Sequence, residues 1–418
     1  MWETLRNAWK IQDLRKKILY TVGMLLVYRL LCYVPTPGVD LEAVSTAMGN
    51  YSLLGFIDSI TGSNLANYTI MAMGITPYIN SSIIMQLLTV AIPKLEDLQK
   101  QGEEGRKKIA QITRYVTIGL GFLQAIGITV GMKAALNGSA FSYITIGVCL
   151  AAGTALAMWI GERINEKGLG NGVSLLIFAG IISRVGPQIV NSIASVANGT
   201  LNVLSFLLVI LGSFIMIVAV VFVDQGERRI PVQYAKRMVG RKMYGGQSTH
   251  IPMRVNSSGV MPLIFASAMM QFPGTILAMV PAWSEANLWW QTHFNYVSWP
   301  YQVIFAVLII AFAFFYNTIS FNPIDMSKNL QQNGGMIPGI RQGKPTSDYL
   351  ARISRRITLF GALFLAVLAV VPTLIAALCG VSIPFGASSL LIAVSVALET
   401  TRQLESQMLM RHYKGFLK

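Results

Sequence analysis

Apolar runs recur along the chain at about 18–34, 68–92, 112–132, 143–161, 172–190, 203–223, 257–280, 301–321, 357–378 and 385–401. Each is close to the roughly 20 residues that a helix needs to cross a bilayer, the last being the shortest. The pattern predicts about ten membrane-spanning helices. One stretch departs from it. Residues 68–92 are apolar enough to span, yet carry Thr76, Asn80, Ser81, Ser82, Gln86 and Thr89. Just before them, 53–60 has room for a short helix too brief to cross. A half-length segment feeding a polar span points to re-entrant backbone, which membranes tolerate only where protein or water shields it. Residues 52–93 are therefore where function is expected to centre.

Charge in the connections orients the spans. Arg6, Lys10, Arg15, Lys16 and Lys17 precede the first run, whereas 35–67 contains no Lys or Arg. Lys94, Lys100, Arg106, Lys107 and Lys108 follow the second run, and only Lys133 follows the third. The alternation continues to the end: 224–256 and 322–356 are strongly basic, while 191–202, 281–300 and 379–384 lack Lys and Arg. By the positive-inside rule both ends are expected in the cytoplasm. Most of the net charge of +15 is then topogenic. Orientation alone accounts for most single residues in the basic loops, although 224–256 and 322–356 are longer than orientation requires. The Arg15-Lys16-Lys17 cluster imitates a signal peptide. The run after it ends in a turn at 34–38 without a small-residue cleavage site, so it reads as a retained first span.

The chain has 418 residues, of which 53% are hydrophobic and 12% charged. Soluble domains average about 25% charged residues, so one polytopic membrane domain is expected. Cys32, Cys149 and Cys379 are far apart, and His250, His293 and His412 lie outside the runs, which leaves little for metal or disulfide chemistry. Catalytic and nucleotide-binding motifs are absent, and no cofactor is expected. Gly168–Gly172 follows a span rather than a strand, so a tight turn is favoured over a phosphate loop. Trp283, Trp289, Trp290 and Trp299 fit an interfacial aromatic belt. The main competing class is an ion-coupled transporter, which buries acids or bases near the midplane. Arg29, Arg114 and Arg184 lie near run ends instead, and 203–223, 257–280 and 357–378 carry no charge. Pro77, Pro262 and Pro273 fit either hinges or ordinary membrane prolines.

Four segments carry a resemblance: Met73 to Ile79 (MGITPYI), Trp159 to Gly172 (WIGERINEKGLGNG), Glu227 to Ala235 (ERRIPVQYA), and Asn322-Pro323 with Ile337 to Arg341 (IPGIR). In this order, with this span count and charge pattern, the chain resembles the SecY protein-translocation channels in their bacterial form. Gln342 stands where that family often has Pro.

The resemblance implies an all-α integral membrane protein with about ten transmembrane helices. They would form two inverted five-helix halves, 1–190 and 203–418, hinged at an outer loop 191–202 around a central pore. A plug at about 53–64 would close the pore outside. A ring of Ile79, Ile83, Ile177, Ile181, Ile264 and Ile392 would close its waist. A lateral gate between spans two and three and spans seven and eight would involve Asn80, Gln86, Gln124, Gln271 and Phe272. Read as residues alone, these polar groups fit ordinary interhelical hydrogen bonds equally well. The loops at about 224–256 and 322–356 would dock the SecA motor ATPase or a ribosome, through Arg228, Arg229, Lys236, Arg237, Arg241, Lys242, Arg341 and Lys344. SecE would clamp the halves and SecG would sit peripherally. Signal peptides, nascent chains and membrane lipids would be further partners, with no direct DNA binding. The implied protein is a non-enzymatic channel of the bacterial inner membrane. It would pass unfolded secretory chains and release hydrophobic segments into lipid.

Overall fold

The computed structural model describes residues 2–50, 62, 64–132, 134–136, 138–199, 202–234, 237–239, 242–244, 248–256, 259–279, 284–294, 298–379 and 387–415. Their helices are α1 (Trp2–Lys10), α2 (Gln12–Leu31), α3 (Leu41–Asn50), α4 (Thr76–Ala91), α5 (Pro93–Lys100), α6 (Glu103–Gly131), α7 (Ala140–Lys167), α8 (Gly172–Ala197), α9 (Val203–Gln225), α10 (Met261–Met279), α11 (Ser284–His293), α12 (Trp299–Ser320), α13 (Pro323–Gln332), α14 (Lys344–Cys379) and α15 (Ala387–Gly415). Each predicted apolar run carries a helix. Among the described residues, α6, α7, α8, α9, α12 and α14 are long and apolar enough to cross a membrane on length and composition alone.

The helices pack as a closed circuit. α6 packs against α7, α7 against α8, α8 against α15, α15 against α14, α14 against α12, α12 against α10, and α10 back against α6. α4 lies against α6 and α10, and α9 against α15. At the end of α9, the buried Asp224 carboxylate meets Arg402 of α15 at 3.1 Å. One buried cluster fills the circuit, built from Ile, Leu, Ala, Met and aromatic side chains of α2, α4, α7, α8, α10, α12, α14 and α15.

The stretch before α4 is irregular and buried. Residues 64–75 form turns, so the helical part of the second run is only 16 residues long. Leu65, Tyr68 and Ala72 are buried there in a second apolar cluster with Ala125, Ile128, Ile146 and Leu150, while Met71 is buried in the first. Irregular backbone inside apolar surroundings must find partners within the protein. Here the Thr36 amide donates to the Tyr68 carbonyl at 3.1 Å, and the Ile70 amide to the Val34 carbonyl at 3.0 Å. The Tyr68 hydroxyl lies 2.6 Å from the Thr129 hydroxyl, and the Asn64 amide donates to Cys32 Sγ at 3.1 Å. Tyr68, with φ at 43°, is the one non-glycine positive-φ residue among those described. Residues 51–61 and 63, most of the expected plug at 53–64 and all of the expected short helix, lie outside the described residues.

Two expected connections are partly helical. The loop expected at 191–202 begins later, because α8 continues to Ala197 and stops where Asn198 caps it and Gly199 takes φ 72°. The connection expected at 322–356 contains α13 and the start of α14. Leu350, Ile353 and Ile357 repeat there on one face while Arg352, Arg355 and Arg356 are exposed, an amphipathic pattern rather than a spanning one.

The long basic connections also contain strands: β1 (Glu227–Tyr234), β2 (Arg237–Val239), β3 (Lys242–Tyr244), β4 (Ser248–Arg254) and β5 (Gly335–Met336). β1 is central, antiparallel to β4 from Glu227↔Arg254 to Gln233↔Ser248, and antiparallel to β5 at Gln233↔Met336 and Tyr234↔Gly335. The two connections are therefore one sheet over a shared core of Ile230, Val232, Met253, Leu330, Ile337 and Leu350.

Gly153 is where α7 admits the irregular stretch: a Cβ there would stand 1.8 Å from the Ile70 carbonyl oxygen. Gly153→Val is expected to destabilise the protein by about 1–3 kcal/mol, the usual scale of overpacking. Thermal unfolding in detergent, compared with Gly119→Val at an open helix surface, measures it; equal midpoints would refute this packing.

Candidate functional site

Four helices meet at one point. Residues four apart share a helix face, so Ile79 and Ile83 of α4 point together, as do Ile177 and Ile181 of α8. Ile264 of α10 and Ile392 of α15 join them, and all six side chains are buried in the same cluster. Ile79, Ile177, Ile264 and Ile392, with Thr76, Ser267, Ala268 and Gln271, line a cavity of about 20 Å³. That is room for about one water molecule. Ile83 and Ile181 belong to the cluster without lining the cavity.

Ser267, Ala268 and Thr76 were not singled out as lining residues from sequence. The signal for the first two was present, since Ile264, Ser267, Ala268 and Gln271 repeat at i, i+3, i+4 and i+7 on one face of α10. The Ser267 hydroxyl donates to the Ile264 carbonyl at 2.8 Å, leaving the lining predominantly alkyl. An ion passing among the isoleucines would lose hydration and gain no ligands from them.

The polar residues expected along the seam fall on α4, α6 and α10, which pack together. Asn80, Gln124 and Gln271 are buried and Gln86 is half-buried. The side-chain oxygens of Gln86 and Gln124 are buried and accept no hydrogen bond. Leaving such a group without a donor costs about 1–3 kcal/mol. Phe272 lies on α10; its side chain is outside the described residues.

Outside the bundle, Arg228 and Arg229 are exposed on β1, with Arg229 Nε 2.7 Å from Glu227 Oε1. Arg341 and Lys344 are exposed on the turn into α14. Arg237 and Lys242 fall on β2 and β3, whose side chains are not described, and Lys236 and Arg241 lie outside the described residues. The pairing of β5 with β1 was not foreseen from sequence and ties the Arg341 region to the Arg228 region through one sheet.

Long apolar helices that meet at a small cavity lined mainly by isoleucine define a multi-pass membrane protein. Comparison with known proteins says which kind. The SecY family model matches residues 69–401. The protein translocase subunit SecY of Streptomyces coelicolor is 42% identical over 100% of both chains. A solved protein-conducting channel superposes with a TM-score of 0.69 at 19% identity, covering 94% of this chain and 92% of that one. Sec61 from a canine ribosome–channel complex superposes with a TM-score of 0.62 at 17% identity, covering 94% and 92%. The chain belongs to the SecY family: it is a protein-translocation channel and not an enzyme.

Ile79→Asn and Ile392→Asn are each expected to raise ion conductance of the reconstituted channel and export of a substrate with a weakened signal. Planar-bilayer recording and an export assay read these. Unchanged values in both would remove the isoleucines from the seal.

Proposed function

We propose that this chain conducts unfolded secretory polypeptides across the bacterial inner membrane and releases transmembrane segments sideways into lipid. The observation that carries the reading is the meeting of isoleucines from α4, α8, α10 and α15 around one small cavity. Branched alkyl groups part around a chain of any sequence and close again with no directional bonds to break. An unfolded polypeptide needs that tolerance, whereas a small solute needs a fitted polar site.

In this reading 1–190 and 203–418 are inverted halves hinged at 191–202, of which 198–202 is non-helical or outside the described residues. The plug comprises about 53–64, and both termini face the cytoplasm, in keeping with the alternation of basic connections. Asn80, Gln86, Gln124, Gln271 and Phe272 belong to the lateral gate, where α4 and α6 part from α10 and α12. The unsatisfied oxygens of Gln86 and Gln124 support it, because water or a signal segment in an opened seam would supply their missing donors. SecE clamps the halves and SecG sits at the periphery.

The spans provide no evident energy-coupling site, so SecA, a ribosome or the membrane potential drives transport. Ribosome docking is supported by the fold shared with canine Sec61 from its ribosome–channel complex. The basic residues of the shared sheet and of the turn into α14 form the docking surface, Arg341 foremost. Phosphates of ribosomal RNA and carboxylates of a motor are both ligands for exposed guanidinium groups.

Proteoliposomes holding the complex, SecA, ATP and a fluorescent preprotein test this. The channel is expected to protect the preprotein from protease. A disulfide between Gln86→Cys and Gln271→Cys is expected to abolish that protection until reduced. A cross-linked channel that transports at the parental rate would contradict the gate.

A further inference from the structure

Arg341 is exposed, yet the backbone beneath it is held by three side chains. The Thr346 hydroxyl donates to the Arg341 carbonyl at 2.8 Å, and the Ser327 hydroxyl to the Gly343 carbonyl at 2.7 Å. The Gln342 side-chain amide donates to the Gly335 carbonyl at 3.1 Å. Each bond reaches a different element: Thr346 belongs to the first turn of α14, Ser327 to α13, and Gly335 to β5. Ser327 and Thr346 are both buried.

Hydroxyls in this protein have a cheaper habit. Thr113, Thr117, Thr129, Thr400 and Thr401 each donate to the carbonyl four residues earlier in their own helix. Ser327 lies inside a helix and bonds across to the arginine turn instead. The turn is also seated against the sheet. Gly343 takes φ 90°, a conformation that favours glycine. A Cβ on Gly335 would stand 3.0 Å from the Tyr234 ring and 3.3 Å from Leu330 and Val232, so β5 lies flush on β1. Gln342 thus fastens the residue beside Arg341 to the strand that unites both basic connections.

Given the reading that Arg341 docks a partner, we propose that Gln342, Ser327 and Thr346 are positioning residues that hold the backbone from which its guanidinium reaches the carboxylates of the docking motor. An arginine on a loose turn loses backbone as well as side-chain freedom when it binds, and a pre-held turn avoids the first loss. Fixing the backbone through buried hydroxyls and one amide leaves only the side chain to order.

The test has two arms. In the first, the reconstituted complex carries a nitroxide on Arg341→Cys, and its spectrum is compared with and without Gln342→Ala or Thr346→Val. Both substitutions are expected to sharpen the lines, and unchanged mobility in both would overturn the proposal. In the second, translocation is titrated with SecA. Gln342→Ala and Thr346→Val are each expected to raise the half-saturating SecA concentration by about two- to tenfold, the scale of one lost hydrogen bond, with maximal rate retained. In an Arg341→Ala background the same substitutions are expected to add nothing. An equal loss without the arginine would make them merely structural and overturn the proposal. If Arg341→Ala alone leaves half-saturation unchanged, the docking reading falls, and the mobility arm still decides the positioning claim.

Discussion

An ion in an alkyl-lined passage sheds its hydration and receives nothing in return, and in the proposed reading that penalty is what the rest of the structure serves. A seal of this kind works only when its side chains touch. Here Ile79, Ile177, Ile264 and Ile392 arrive from four helices and leave about 20 Å³ between them. The closed circuit from α6 round to α10 holds those helices at contact distance. If these isoleucines are the seal, as proposed, it contains no directional bond, and separating it would cost only contact and apolar exposure while the barrier to a charge stayed high.

The remaining irregularities follow from opening a path through such a bundle. Residues 64–75 run as turns within the apolar interior, their backbone partly paired with the chain around Val34 and Thr36. This satisfies some of the amides that a spanning helix would have satisfied internally. The glutamines at the seam pull the other way. Under the proposed gate, the buried oxygens of Gln86 and Gln124, which accept no hydrogen bond, would disfavour the closed packing. A channel that opens on demand would be served by such opposition, since neither state would then be deeply preferred.

The spans were legible because hydropathy is summed over many residues, and every run carries a helix. The irregular backbone at 64–75 was not legible, since it reaches into the run expected to span from 68, and the short segment expected at 53–60 lies outside the described residues. Boundaries were less legible than spans. Apolarity fades at Val190, but α8 is ended by Asn198 and Gly199. Arg352, Arg355 and Arg356 read as loop charge, although the buried face of Leu350, Ile353 and Ile357 makes that segment helical. The sheet stayed hidden because the alternation of Ile230 and Val232 is interrupted by Pro231 and crowded by arginines. Pro231 is tolerated where β1 is flanked by β4 alone, β5 pairing only with Gln233 and Tyr234. Of the constriction, spacing yielded the pairs 79/83 and 177/181. That they meet each other and Ile264 and Ile392 is a long-range fact carried first by family resemblance. Ser327 and Thr346 had no sequence signal, since their partners are backbone carbonyls, and Gln342 stood out only as a departure from the family's Pro.

The central claim is that these isoleucines surround the path of the moving chain. The most direct measurement places a photo-reactive residue at positions 79, 177, 264 and 392, one at a time, and stalls a preprotein partway through. All four positions are expected to cross-link to the same short segment of the stalled chain. Cross-links confined to one helix, or to lipid alone, would contradict the account.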